Sequence, residues 1–151
     1  MRVCLMLRLR IAEYDEMRRH GEEAYPEECC GVLLGTAIGD QRGVIRVARC
    51  RNACKESRRN RYSIEPAELV RVQREARERS LEIVGFYHSH PDHPAQWSQT
   101  DLEEAHWIGC SYVITSVDRG TAQQTTSFVL TGTQEEDKRF AQEEIVITEP
   151  G

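Results

Sequence analysis

The stretch Leu81-Glu82-Ile83-Val84-Gly85-Phe86-Tyr87-His88-Ser89-His90-Pro91 decides how the chain is read. Leu81, Ile83, Val84, Phe86 and Tyr87 make its first part almost continuously apolar, the pattern of a strand buried on both faces. Side chains alternate along a strand with a period of two, so His88 and His90 leave it on the same face. Pro91 removes a ladder donor and Pro94 follows closely, so pairing is expected to stop just past the histidines. Both imidazoles are thereby placed at the mouth of a sheet.

Downstream, Ser98-Gln99-Thr100-Asp101 precedes Leu102, Ala105 and Ile108 at helical spacing. Ser98 suits the N-cap of that helix, and Asp101, one turn further in, can point back toward the chain that delivers the histidines. Two neutral imidazoles and one carboxylate supply three ligands for a divalent metal and leave the fourth tetrahedral position to water, the mark of a catalytic rather than a structural zinc. Manganese and iron accept the same donors, and the tetrahedral preference favours zinc. Each fragment alone has an inert reading, since His-x-His decorates many surfaces and Ser-x-x-Asp is often only a cap. Joined behind one buried strand, they point to a metal site.

These residues, together with the upstream run Pro26-Glu27-Glu28-Cys29-Cys30-Gly31-Val32-Leu33-Leu34-Gly35, resemble the JAMM (MPN-plus) metalloprotease family. In particular they resemble its small stand-alone bacterial members, which act on ubiquitin-like sulfur-carrier proteins. The spacing from the second histidine to the serine and the aspartate matches the family pattern without insertion, and Glu28-x-x-Gly31 precedes an apolar strand. The likeness runs from about Leu9 to about Thr131. It implies an α/β (α+β) fold, a single mixed β-sheet flanked by helices and similar to the cytidine-deaminase-like fold. It also implies Zn²⁺ held by His88, His90 and Asp101. Glu28 would then be the general base that takes a proton from water and hands it to the leaving amine, and Ser98 would donate its hydroxyl to the developing oxyanion.

The activity the resemblance implies is that of a zinc metallopeptidase or isopeptidase, deubiquitinase-like, which hydrolyses the amide bond after the C-terminal Gly-Gly of a ubiquitin-like or sulfur-carrier protein. Glycine suits such a cleft because it has no side chain to clash where backbone approaches a metal. Residues Asn60 to Ser63 are expected to flank the extended tail. Glu27 is an alternative carboxylate next to Glu28, and His93 lies in the same loop as the ligands but outside the motif spacing. His20 and His106 fall in predicted helices and carry no signal.

Composition bounds the rest. A chain of 151 residues is read as one domain, 1–151, long enough to bury a substantial core. Its 25 acidic and 20 basic side chains leave a net charge of −5, which argues against nucleic acid as a non-specific partner. Arginine is concentrated between Arg42 and Arg79, so a locally basic face is compatible with the acidic total. The apolar start Val3 to Leu7 is too short for a secretory signal, and no run reaches membrane-spanning length, so a cytoplasmic protein with no membrane partner is expected. Six cysteines are then read as reduced thiols, with Cys29 and Cys30 as small buried hydrophobes. Cys50-x-x-x-Cys54 resembles half a zinc site but has no second pair of suitable spacing. The oligomeric state, homodimer included, stays open.

The remaining elements follow from pattern. Leu5, Leu7, Leu9 and Ile11 alternate as a first strand, and an amphipathic helix is expected from Glu13 to Ala24 with Tyr14, Met17 and Ala24 inward. Pro26 ends it and places Glu28 before a strand at Gly31–Gly35. A turn at Gly39–Gly43 leads to a strand at Val44–Ala48. Residues Arg51 to Tyr62 read as loop, and Pro66 starts a helix with Leu69, Val72 and Ala76 inward. Strands follow at Tyr112–Val117 and Thr125–Thr131, then a charged tail in which Glu144–Ile147 reads as an edge strand.

Three other classes compete. A zinc nucleobase deaminase needs His-x-Glu and Pro-Cys-x-x-Cys, and neither occurs. A RadC-like DNA-repair protein would carry an upstream helix-hairpin-helix segment where this chain has a strand, a helix and Pro-Glu-Glu-Cys-Cys-Gly. A non-catalytic MPN scaffold typically lacks the ligands, and all three are present here.

Overall fold

The computed structural model describes residues 5–149, so Val3 and Cys4 of the apolar start lie outside the described residues. In chain order the elements are β1 (Met6–Arg10), α1 (Ile11–Ala24), β2 (Cys30–Ile38), β3 (Gln41–Cys50), α2 (Pro66–Glu78), β4 (Glu82–Pro91), α3 (Gln99–Glu104), β5 (Ser111–Asp118), β6 (Thr121–Thr131) and β7 (Arg139–Thr148). Among the described residues no helix is long and apolar enough to cross a membrane. The strands run in the order β1-β3-β2-β4-β5-β6-β7 in one mixed sheet. β4 lies at its centre, antiparallel to β2 and parallel to β5. Paired on both edges and covered on both faces, it needs the continuous apolar run that opens it.

Two cores lie on opposite sides of the sheet. On one side α2 lays Val72 and Ala76 against Cys30, Val32, Leu34, Phe86 and Tyr112. On the other, α1 lays Met17 against Leu7, Leu9, Leu33, Val84, Tyr87 and Val113. Pro66 opens α2 at a position where its missing N–H is not needed. Each fully buried Leu or Val contributes about 1.5–3 kcal/mol, so these two layers, rather than the many exposed ion pairs, carry the stability.

The sheet is not phased uniformly. Leu33 pairs with Gly85 but Leu34 pairs with Ile83, which leaves Val84 as an extra residue in β4, a β-bulge. Ile83 packs on the α2 side and Val84 on the α1 side, and after the bulge Phe86 is again on the α2 side. His88 and His90 continue the face of Phe86. The bulge therefore sends both histidines to the side of α2 and α3.

Three expectations are corrected. The tail is no edge strand: β7 pairs with β6 and, in parallel, with β1, which also pairs with β3, so the sheet closes on itself. Its charge disguised it, because Glu143 is buried, accepting the Ser127 hydroxyl at 2.6 Å and lying 3.6 Å from Arg42. The helix after Ser98 stops at Glu104, and Ile108 is exposed beyond it. Ala105 turns into the core in extended conformation, and Lys138 donates to the carbonyls of Glu103 and Ala105 at the helix end. His106 is therefore not helical, whereas His20 is and bonds the Tyr87 hydroxyl at 2.8 Å. The turn after β2 is tighter than expected, with β3 already starting at Gln41.

Gly31 has a reason beyond motif membership. A Cβ there would come within 2.2 Å of the Tyr87 ring, the residue immediately before the first histidine. Gly31→Ala is expected to destabilise the protein by about 1–3 kcal/mol through overpacking, measured by urea unfolding, and an unchanged midpoint would refute this account of the glycine.

Candidate metal centre

β4 delivers His88 and His90 from one face, and the first turn of α3 delivers Asp101. The aspartate is fixed by a capping box: Ser98 Oγ accepts the Asp101 N–H at 3.0 Å, and Asp101 Oδ2 accepts the Ser98 N–H at 2.9 Å. The two Nε2 atoms are 3.2 Å apart. His88 Nε2 lies 3.3 Å from Asp101 Oδ1, and His90 Nε2 lies 3.1 Å from Oδ2. Among the described residues these three form the one group of His, Cys, Asp and Glu side chains that could hold a metal, with all ligand atoms within 4.8 Å of one another. Tetrahedral bonds of the zinc–nitrogen and zinc–oxygen length set ligand atoms roughly 3.3 Å apart, so the donor set fits three corners of such a site.

The surroundings orient the donors. Pro94 O lies 2.9 Å from His90 Nδ1, and taking that N–H leaves Nε2 free to act as a ligand. His88 is buried and its ring stacks on Tyr62, with centroids 4.6 Å apart and planes at 24°. Burial pushes the His88 pKa down, favouring the neutral imidazole that ligates metals. For His90 burial acts the same way, but Asp101 and the Pro94 carbonyl outweigh it and raise the pKa. Burial also opposes the charge on Asp101, yet the two imidazoles and the Ser98 N–H hold its carboxyl well below the usual carboxylate range.

Glu28 stands two residues before Cys30, which pairs with His88 across β2 and β4. The junction is tied by Cys29 N–H to Ser89 Oγ at 2.8 Å and by Ser89 N–H to Cys29 O at 3.3 Å. Glu28 is 4% exposed, and one of its carboxyl oxygens is buried without a hydrogen-bond partner. Burial, with the charges of Asp101 and Glu104 nearby, pushes its pKa up to about 9. Glu27 is exposed. Glu28, His90 and Ser98 line one cavity of about 500 Å³ together with Asn60, Arg61 and His93. His93 is exposed and stands outside the ligand group.

The sequence reading left the loop at 51–62 without internal structure, and here it missed most. Asn52 donates to the carbonyls of Glu28 at 3.1 Å and Arg61 at 2.9 Å, and its Oδ1 accepts from Cys54 N at 3.0 Å and Ser63 N at 3.2 Å. Glu28 N–H donates to Arg58 O at 2.7 Å. The loop is thus laced to the candidate base. Tyr62 and Ser63 line a second recess of about 620 Å³, whose apolar wall includes Ile64, Leu69, Phe86 and Trp107. Arg61 borders both cavities and forms an ion pair with Glu104. The one signal available beforehand was a lone aromatic in a charged run. Cys50 is buried facing the Ala48 carbonyl, and Cys54 donates to Glu56 O at 2.7 Å, so neither approaches a second metal ligand among the described residues.

Comparison with known proteins bears on both fold and site. The chain is 39% identical over 102 residues to the protein of Haloferax volcanii named Desampylase, a match covering 67% of this chain and 71% of that protein. It is 32% identical over 104 residues to a protein of Thermus thermophilus named "Probable TtuB-protein conjugate cleaving protease", covering 69% of this chain and 66% of the other. A solution structure from Desulfitobacterium hafniense superposes with a TM-score of 0.83 at 30% identity, covering 96% of this chain and 94% of that one. Another from Salinibacter ruber gives 0.71 at 39% identity, covering 93% and 91%. The model of the family described as prokaryotic homologs of the JAB domain matches residues 11–131, a span holding Glu28, both histidines, Ser98 and Asp101. The chain belongs to the family of prokaryotic homologs of the JAB domain.

Proposed function

We propose that residues 1–151 act as one zinc-dependent peptidase or isopeptidase domain that hydrolyses the amide bond after the C-terminal Gly-Gly of a ubiquitin-like or sulfur-carrier protein. The observation that carries this reading is the convergence of His88 Nε2, His90 Nε2 and the Asp101 carboxylate on one point, with His90 bordering the cavity that Glu28 and Ser98 also line. The names of the two relatives support the substrate class, since one is a conjugate-cleaving protease and the other a desampylase.

His88, His90 and Asp101 would hold the metal. When bound, zinc supplies a Lewis acid, a water acidified toward a pKa of roughly 7, and positive charge that counters the repulsion among the nearby carboxylates. Glu28 takes the proton from the attacking water and returns it to the leaving amine, so that water and amide become carboxylate and amine. Its burial without a competing hydrogen bond at one oxygen leaves that oxygen free for the transfer. Ser98 has spent an Oγ lone pair on the cap, but its hydroxyl has no acceptor among the described residues and can be donated to the oxyanion. Asn60 and Arg61, on the cavity wall, flank the extended tail.

The test is mass spectrometry of a Gly-Gly-ended carrier bearing a C-terminal extension. Wild-type protein should release the extension just after Gly-Gly, a chelator should block it, and Ser98→Ala should slow it by about 10²–10³, the loss typical of one oxyanion donor. Equal cleavage of unrelated sequences, or none after Gly-Gly with zinc bound, would leave only a metallohydrolase of another target.

A further inference from the structure

The two histidines present the same atom to Asp101, yet they are held in different ways. His90 is steered by the hydrogen bond between its Nδ1 and the Pro94 carbonyl. His88 Nδ1 is buried and has no hydrogen-bond partner among the described residues. Imidazoles that bind metals almost always give the other ring N–H to an acceptor, which fixes the ring's orientation. The terminal torsion of a histidine is broad and roughly two-fold, so it sets the ring plane only weakly. The plane of His88 must then be set by what packs on it. That is Tyr62, stacked face to face, with the tilted His90 ring as the other aromatic neighbour at 5.0 Å.

Tyr62 is itself firmly placed. On one side of it the Arg61 carbonyl accepts from Asn52 at 2.9 Å, and on the other the Ser63 N–H donates to the same Asn52 at 3.2 Å. Arg61 is further tied to Glu104 of α3, and the Tyr62 ring packs into the core that contains Phe86 and Tyr112. The loop therefore presents a fixed aromatic face to a ligand whose second ring nitrogen, Nδ1, has no hydrogen-bond partner among the described residues. The phenol oxygen takes no part in that stacking.

We infer that Tyr62 is a positioning residue for the metal centre: its ring face sets the plane of His88 and does for that ligand what the Pro94 carbonyl does for His90. This rests on the metal reading proposed above. A residue that only filled core space would, when replaced, lower stability without changing the zinc affinity of the folded protein.

The experiment measures zinc binding by competition with a chromophoric chelator, using the full chain as wild type, Tyr62→Phe and Tyr62→Leu, beside thermal melts of the metal-free forms. Tyr62→Phe should bind zinc within about twofold of wild type, and Tyr62→Leu should bind about 10–100-fold more weakly at a temperature where its metal-free form is fully folded, the usual loss when an orienting partner of a ligand is removed. Should the leucine variant not fold, Tyr62→Met fills the space flexibly and carries the same expectation. Wild-type affinity in the leucine or methionine variant overturns the inference, and equal weakening in phenylalanine and leucine variants overturns it by moving the effect to the hydroxyl. Absence of zinc binding in the wild type is a different result, since it removes the metal centre itself and the inference with it.

Discussion

Glu28→Gln is expected to keep its fold and its metal while losing about 10²–10⁴ in the rate of amide hydrolysis, the range for a lost general base. Glutamine preserves the size of the side chain and the backbone ties of Glu28 to Arg58 and Asn52, so the loop over the cavity stays in place. What disappears is the buried carboxylate, with one oxygen free of hydrogen bonds, that would take the proton from the attacking water. Glu27→Gln is the matched control, because Glu27 is exposed one residue away. Rates measured on the extended carrier under single-turnover conditions decide the matter. If the two variants are equally active, the assignment of the base to Glu28 fails.

Complete loss is expected at the ligands. Purified protein should hold about one zinc per chain, and His88→Ala, His90→Ala and Asp101→Ala should each lose the metal and with it the activity, because three donors are the minimum for a catalytic site of this kind. Asp101→Ala also removes half of the capping box and should lower stability by about 0.5–2 kcal/mol, visible as a lower melting temperature. The histidine variants isolate the metal effect more cleanly, since neither residue caps a helix. Elemental analysis of the three proteins is the measurement. A His88→Ala protein with full zinc occupancy would refute the site.

The parts of this site that could be read in advance are those whose geometry is local. His-x-His at a strand end, and Ser-x-x-Asp at a helix start, each place two side chains through one element's own periodicity. The structure has both, with the capping box formed at Ser98 and Asp101. Glu28 is different in kind. Its place beside the cavity depends on β2 lying antiparallel to β4 with Cys30 opposite His88, a pairing between segments far apart in sequence. Only likeness to a family could suggest it. Asn52 and Tyr62 were hidden for the same reason, since their partners are Glu28, Arg61, Ser63 and His88, and a polar loop has no period to reveal them.

By itself, then, the sequence determined the run of elements, the central buried strand, the capped aspartate and the presence of two histidines on a common face. These are consequences of backbone geometry repeating over two or four residues. Three things were decided only by tertiary structure. The bulge at Val84 chose which side of the sheet the histidines occupy, because one unpaired residue reverses the alternation and strand pattern alone cannot announce it. Closure of the sheet came from the parallel pairing of β7 with β1, which buries Glu143 3.6 Å from Arg42 inside a segment whose composition reads as charged tail. The Tyr62 face on His88 arose where a loop folds back over the sheet, held by hydrogen bonds from Asn52 rather than by any local propensity. In each case the determining contact joins residues distant along the chain, and the energy that selects it exists only once both have been brought together.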